Sequence, residues 1–205
     1  MCAIFGSFNK RKFTKLAEKN GYRGSHSYSI SIYDPIKKDI RLIKRDLGTF
    51  DLSTVEEYMG VYWIGHIQAP TTDEKGLDSV HPSQENYSWL WHNGIIKDNY
   101  VKEMQKEYGD IKWDTRLLNL RLNDNKKLDE VDGAFSCLRY ENGNMYLFRN
   151  EISPMFIDKE LSISSTQFTG ARKTTANAIL RMNFDDYNYS IVQHFTTKEN
   201  PYYFG

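Results

Sequence analysis

The chain begins Met1-Cys2-Ala3-Ile4-Phe5-Gly6, a short apolar run that follows a cysteine and ends at a glycine. If Met1 is removed, Cys2 carries a thiol and a free α-amine on the same residue. An α-amine has a pKa of about 7.7–8, so part of it is neutral near pH 7 and can take a proton. Cys2 could therefore combine a nucleophile with its own base. The alternative is an ordinary residue that happens to follow the first methionine.

The rest of the chain contains many short strand patterns and fewer helical ones. Segments rich in Ile, Tyr, Phe and Val are predicted to be strands at residues 3–8, 28–33, 40–44, 59–67, 88–92, 135–140, 144–149, 155–158, 161–164 and 189–195. Helical spacing predicts helices at residues 10–20, 99–108, 113–123 and 173–182. Asn142-Gly143 predicts a tight hairpin between two of the strands. Because strands outnumber helices and do not alternate strictly with them, we expect an α+β fold with antiparallel sheet.

Composition narrows the class of protein. The 205 residues fit one domain, and 27 basic residues balance 27 acidic ones, which argues against binding driven by nucleic-acid phosphates. We find no apolar run long enough for a membrane span and no secretory segment, so we expect a cytoplasmic protein. Cys2 and Cys137 are too few for a cysteine metal site, and the histidines lack ligand spacing, so no metal is expected.

Several short blocks of polar and glycine residues follow Cys2. They are Tyr22-Arg23-Gly24-Ser25-His26-Ser27, Gly65-His66-Ile67-Gln68-Ala69-Pro70-Thr71, His81-Pro82 and His92-Asn93-Gly94-Ile95-Ile96. Weaker blocks continue at Trp113-Asp114-Thr115 and at residues 132–135, 149–156 and 164–166. In this order they resemble the glutaminase domain of the class II glutamine amidotransferases, which are N-terminal-nucleophile hydrolases. The resemblance covers residues 2–170, and the His-Asn-Gly block is most similar to the glucosamine-6-phosphate synthase branch.

The resemblance implies a fold and a domain organisation. The family fold is an αββα sandwich of two mainly antiparallel sheets, and residues 1–205 are expected to form a single glutaminase-type domain. Residues 171–205 are expected to add a C-terminal helix, a strand and a tail. The aromatic stretch Asn200–Gly205 in that tail is a candidate docking or channel-lining element, or packs on its own domain. The resemblance implies no cofactor.

Catalytic roles are likewise implied by the resemblance. Cys2 is expected to attack the side-chain amide of glutamine and form a thioester. The Asn93 side chain and the Gly94 backbone N–H are expected to stabilise the oxyanion. Asp114 is expected to accept the α-ammonium of glutamine. On local grounds alone, Asn93-Gly94 also fits a hairpin turn, and Asp114 also fits a helix N-cap.

Other positions are expected to bind the substrate, and here the chain departs from the family pattern. Arg23 and His81 line or brace the pocket, or serve as structural hydrogen-bonding residues. Gln68 stands where the family has an arginine that grips the α-carboxylate, while Thr71 is retained. Another cation such as Arg172 or Lys173 could replace that arginine, backbone N–H groups could hold the carboxylate, or the acyl donor is not free glutamine.

These observations support three hypotheses. The first is a stand-alone glutaminase subunit that passes ammonia to a separate synthase, because no motif for a synthase domain is recognised. The second is an N-terminal-nucleophile amidase that acts on another amide, as Gln68 suggests. The third is a degenerate glutaminase fold that regulates or scaffolds a partner.

Overall fold

The computed structural model describes residues 2–53, 57–69, 76–126 and 128–197. Within these ranges the strands, numbered β1 to β13 in chain order, are Ala3–Ser7, Ser27–Asp34, Asp39–Leu47, Tyr62–Gln68, Ser83–Glu85, Ser88–Ile96, Gly133–Glu141, Asn144–Arg149, Phe156–Ile157, Ile163–Ser164, Arg172–Lys173, Ala178–Asn183 and Asn188–His194. The α-helices α1 to α3 are Lys10–Asn20, Asp98–Tyr108 and Asp114–Asn123. Short 3-10 helices lie at Gly21–Arg23, Leu77–Ser79 and Leu128–Glu130. Met1, Thr71 and the tail Asn200–Gly205 fall outside the described residues.

The described strands form two antiparallel sheets. The first sheet has the order β11-β9-β10-β1-β4-β2-β3, and the second has the order β13-β12-β8-β7-β6-β5. Strand β1 is central in the first sheet, with Ala3 opposite Ile67 of β4 and Phe5 opposite Ser164 of β10. The predicted α+β class with antiparallel sheets is confirmed.

Three apolar clusters show how the sheets and helices stack. Successive side chains of a strand point to opposite faces of the sheet, so the two faces of β1 pack against different layers. Ile4 faces the second sheet and lies in the same cluster as Trp91 of β6. Phe5 points the other way and packs with Phe13 of α1. On the outer face of the second sheet, Leu118 of α3 belongs to the third cluster. The order helix, sheet, sheet, helix is the expected αββα sandwich.

Local sequence signals explain several of these elements. Helix α1 has the predicted bounds, and the Asn9 side chain caps it by accepting a hydrogen bond from the Lys12 N–H at 3.0 Å. The predicted hairpin between β7 and β8 is confirmed, with positive φ angles of 47° at Asn142 and 78° at Gly143. No helix in the described ranges is long and apolar enough to cross a membrane.

The helix predicted at residues 173–182 is wrong. Residues Ala178–Asn183 form strand β12, which pairs with β8 on one side and β13 on the other. Ala178, Leu180 and Met182 are buried at a spacing of two and face the core between the sheets. Ala176, Ile179 and Leu180 also fit helical spacing, which is why the pattern was ambiguous. The described part of residues 171–205 therefore contains strands and no helix.

Candidate functional site

Cys2 lies immediately before β1 and is 5% exposed. Its Sγ donates a hydrogen bond to the Ala69 carbonyl at 3.4 Å. Because Ala3 pairs with Ile67, extending the register by one residue places Cys2 opposite Gln68 on the face that looks toward the second sheet. Burial raises the pKa of the Cys2 thiol to about 11. The thiol is thus protonated at neutral pH, and its attack on a substrate requires a base.

The Arg23-Gly24 block holds the backbone around Cys2. The Arg23 Nε donates to the Cys2 carbonyl at 2.8 Å. Gly24 lies so close to the end of β4 that a Cβ there would be 2.5 Å from the Gln68 carbonyl carbon. The chain then pairs with β4 through a bond from the His26 N–H to the Gln68 carbonyl at 3.1 Å. Arg23 therefore fixes the position of Cys2 through a backbone contact.

Asn93 reaches the start of β1 from the second sheet. It lies two residues after Trp91 on the same face of β6, and its Nδ2 donates to the Ser165 Oγ at 3.3 Å. The same Ser165 Oγ accepts a hydrogen bond from the Ile4 N–H at 3.0 Å. Ser165 therefore links Asn93 to the strand that begins beside Cys2. Its only sequence signal was a weak block at residues 164–166, and we did not predict it as a site residue.

Gly94 continues β6 at a position that only glycine can occupy. Its φ is 155°, and a Cβ there would lie 1.8 Å from the Ala134 carbonyl oxygen. Asn93 and Gly94 pair with Ser136 and Phe135 of β7. The hairpin-turn interpretation of this dipeptide is therefore wrong.

Asp114 is the first residue of α3, with Trp113 at the N-cap position, so the N-cap interpretation of Asp114 is wrong. The Asp114 carboxylate is buried and accepts two backbone hydrogen bonds. Its Oδ1 accepts from the Thr115 N–H at 2.7 Å, and its Oδ2 accepts from the Ile96 N–H at 3.3 Å. A carboxylate in the first turn of a helix is also stabilised by the helix dipole.

A chain of buried side chains joins the Gln68 end of β4 to the Asp114 end of α3. The Gln68 Nε2 lies 3.1 Å from the Ser79 carbonyl, and its Oε1 lies 3.1 Å from the His81 Nδ1. The His81 Nε2 lies 3.1 Å from the Thr115 Oγ1. The His92 Nδ1 is 3.2 Å from the same hydroxyl. His81 thus contacts Gln68 directly, and Thr115 joins it to His92.

Two members of this hydrogen-bond chain, His81 and His92, are buried histidines, and a third buried histidine, His66, lies against them. His66 stacks on His81 with ring centroids 3.8 Å apart, and its Nε2 lies 3.1 Å from the His92 carbonyl. Burial lowers the pKa of His66 to about 3 and lowers the pKa of His81 well below its usual value. Burial also lowers the pKa of His92, although the Asp114 carboxylate acts in the opposite direction. The imidazoles are therefore neutral at pH 7.

No protein-family model and no curated protein matches the sequence. Among solved structures, glutamine phosphoribosylpyrophosphate amidotransferase from B. subtilis, complexed with ADP and GMP, matches with a TM-score of 0.68 and 19% identity over 93% of this chain and 49% of that chain. The allosteric regulatory enzyme of purine biosynthesis matches with a TM-score of 0.67 and 17% identity over 93% and 49%. A class II glutamine aminotransferase domain protein from Silicibacter pomeroyi matches with a TM-score of 0.52 and 9% identity over 94% and 98%.

The fold of the present chain is that of the class II glutamine amidotransferases. The chain spans about half the length of the first two matching proteins. Within this class II fold, Cys2, Gln68 and Asn93 lie where the two sheets face each other.

The candidate cations Arg172 and Lys173 and the second cysteine, Cys137, lie away from Cys2. Strands β9 and β10 separate β1 from Arg172 and Lys173 in β11, a distance of about 14 Å at the usual strand spacing. The Arg172 guanidinium lies over the Tyr189 ring at 5.6 Å. Cys137 is fully buried in the cluster on the outer face of the second sheet, where burial raises its thiol pKa well above the usual value. No group of three His, Cys, Asp or Glu side chains in the described ranges is arranged to hold a metal ion.

Proposed function

We propose that this chain is a glutaminase that hydrolyses the side-chain amide of glutamine through Cys2. The observation that carries the proposal is the placement of a buried Cys2 thiol at the head of a central strand, opposite Gln68 and next to the Asn93–Ser165 link. After loss of Met1, the α-amine of Cys2 takes the thiol proton, directly or through a water. The thiolate attacks the amide carbon, ammonia leaves with that proton, and water then cleaves the thioester to release glutamate.

Asn93 and Gly94 supply the oxyanion donors in this mechanism. One N–H of the Asn93 Nδ2 is used by Ser165, which leaves the other for the negatively charged oxygen of the tetrahedral intermediate. Each such donor typically contributes about 2.7–4 kcal/mol of transition-state stabilisation. The absence of a Cβ at Gly94 allows the close approach of β6 and β7 that fixes the position of Asn93.

Glutamine is held by its α-substituents. Asp114 accepts the α-ammonium group, and Gln68 with Thr71 contacts the α-carboxylate. Arg23 acts through the Cys2 backbone, and His81 acts through Gln68, so both support the site indirectly. We propose a separate synthase in the cytoplasm as the acceptor of the ammonia.

A second candidate function follows from Gln68. This residue brings no positive charge, and Arg172 lies on a distant strand, so that cation does not replace a carboxylate-binding arginine. A neutral amide donates weaker hydrogen bonds to a carboxylate than a charged group does. An amidase that acts on an amide without a free α-carboxylate would fit such a site. Rates of ammonia release from glutamine and from a panel of other amides distinguish the two functions.

Replacement of the two cysteines provides the primary test. Cys2→Ala should abolish ammonia release, and Cys137→Ala is the matched control because Cys137 is also buried but lies on the outer face of the second sheet. The control should remain active. Hydrolysis that survives in the Cys2 variant would refute the mechanism. A folded wild-type protein that hydrolyses no amide would favour a regulatory or scaffold role.

A further inference from the structure

The proton positions in the buried chain between Gln68 and Asp114 follow from the chemistry of its members. The Ser79 carbonyl can only accept a hydrogen bond, so the Gln68 atom 3.1 Å away is the amide nitrogen. The Gln68 oxygen then faces the His81 Nδ1, which must donate its proton to that oxygen. One carbonyl group thus fixes both the Gln68 amide and one end of the His81 ring.

The same reasoning continues to Thr115 and His92. Burial lowers the pKa of His81, so the ring carries one proton, and its Nε2 must accept from the Thr115 hydroxyl. That hydroxyl has a single proton, so it cannot also donate to the His92 Nδ1, which lies 3.2 Å from it. With its proton given to His81, the Thr115 hydroxyl does not donate to the Asp114 Oδ1, which lies 3.4 Å away.

We propose that Thr115 and His81 are positioning residues in a one-way hydrogen-bond chain that runs from Thr115 through His81 to Gln68 and Ser79. In this chain His81 is the Nδ1–H tautomer, and the Gln68 amide is locked with one N–H left for the substrate. The proposal rests on the proposed function for the identity of that substrate. Hydrogen bonds arranged in one direction polarise and strengthen each other.

The chain also joins the two residues proposed to bind the α-substituents of glutamine. The Thr115 N–H binds Asp114 at 2.7 Å, while its hydroxyl leads through His81 to Gln68. The His92 Nδ1 lies 3.9 Å from the Asp114 Oδ2. Loss of the Thr115 hydroxyl should therefore weaken glutamine binding without touching the thiol or the oxyanion donors.

Steady-state kinetics test the positioning role. Thr115→Val keeps the side-chain shape but removes the hydroxyl, and we expect KM for glutamine to rise by about 2- to 12-fold, the factor that one hydrogen bond contributes, with little change in kcat. Thr115→Ser should restore KM. Gln68→Ala should raise KM, and adding Thr115→Val to it should have little further effect, because both changes interrupt the same chain.

Thr174→Val is the matched control. Thr174 is buried, accepts from the Arg149 Nε at 3.1 Å and donates to the Met155 carbonyl at 3.2 Å, in a part of the fold remote from Gln68. Its replacement should lower stability but leave KM unchanged. An unchanged KM in a folded Thr115→Val protein, or fully additive effects with Gln68→Ala, would overturn the proposal.

Nitrogen NMR of the imidazole rings provides a readout that does not depend on activity. In the wild-type protein at pH 7, His81 should carry its proton on Nδ1 and have an unprotonated Nε2. An Nε2–H tautomer or an imidazolium at His81 would overturn the proposal even if the enzyme is active. A protein with the expected tautomer that hydrolyses no amide would instead contradict the proposed function alone.

Discussion

Replacement of Asn93 by alanine removes the side chain proposed to stabilise the oxyanion. The Asn93 Nδ2 has two N–H groups, one of which binds Ser165 at 3.3 Å, so one remains for the substrate. Loss of one oxyanion donor typically lowers kcat by about 100- to 1,000-fold, which corresponds to about 2.7–4 kcal/mol. We expect that loss in kcat with KM nearly unchanged, measured as ammonia release against glutamine concentration.

Two controls separate this effect from a general loss of structure. The melting temperature of Asn93→Ala reports whether the fold survives. Ser165→Ala keeps the Asn93 amide but removes the hydroxyl that anchors it and that also accepts from the Ile4 N–H. It should therefore lower kcat by about tenfold or less, the factor expected for one neutral hydrogen bond. A folded Asn93→Ala protein with wild-type kcat would refute the oxyanion assignment.

Three further predictions concern the glycine at the site, the buried histidines and the thiol. Gly94→Ala should lower the free energy of unfolding by about 3 kcal/mol or more, because the added Cβ would meet the Ala134 carbonyl at a positive φ. Gly109 also has a positive φ but no atom near its Cβ position, so Gly109→Ala should lower the free energy of unfolding by less. Equal losses for the two variants in urea unfolding would contradict the steric explanation. The free energy of unfolding should fall as the pH drops below about 6.5. His66 takes up a proton there in the unfolded chain, whereas in the folded protein burial lowers its pKa to about 3 and it stays neutral. His66 alone should lower the free energy of unfolding by about 2 kcal/mol at pH 5. His66→Asn should therefore make the free energy of unfolding in urea less sensitive to pH over this range. In protein that retains Met1, alkylation of Cys2 by iodoacetamide should still accelerate above pH 9, because burial raises the thiol pKa to about 11, and a plateau near pH 8.5 would contradict that value.

The secondary structure was predictable in those segments whose residue pattern fits only a helix, only a strand or only a turn. Helix α1 was predicted with its observed bounds because apolar residues recur near helical spacing between Lys10 and Asn20 and Gly21 follows as a stop signal. The Asn142-Gly143 turn was also clear, since both positions require positive φ. Strand β12 was not predicted, because Ala176, Ile179 and Leu180 fit helical spacing, and only pairing with β8 and β13 shows that the segment is a strand.

The candidate site was predictable only in part. The order of short blocks along the chain pointed to Cys2, Asn93 and Asp114, but local sequence carries no signal for contacts between distant segments. Ser165 meets Ile4 across 161 residues of chain, and Thr115 meets His81 across 34 residues. Such contacts arise when the sheets pack, so the hydrogen-bond chain behind Gln68 had to come from the structure.

The role of Cys2 as the nucleophile is tested most directly by treating the purified protein with 6-diazo-5-oxo-norleucine and locating the modified peptide by mass spectrometry. We expect a single adduct on Cys2 in molecules that have lost Met1, with Cys137 unmodified. Because Cys137 is fully buried on the outer face of the second sheet, it serves as an internal control in the same sample. No adduct, or an adduct on Cys137, would contradict the assignment of Cys2 as the nucleophile.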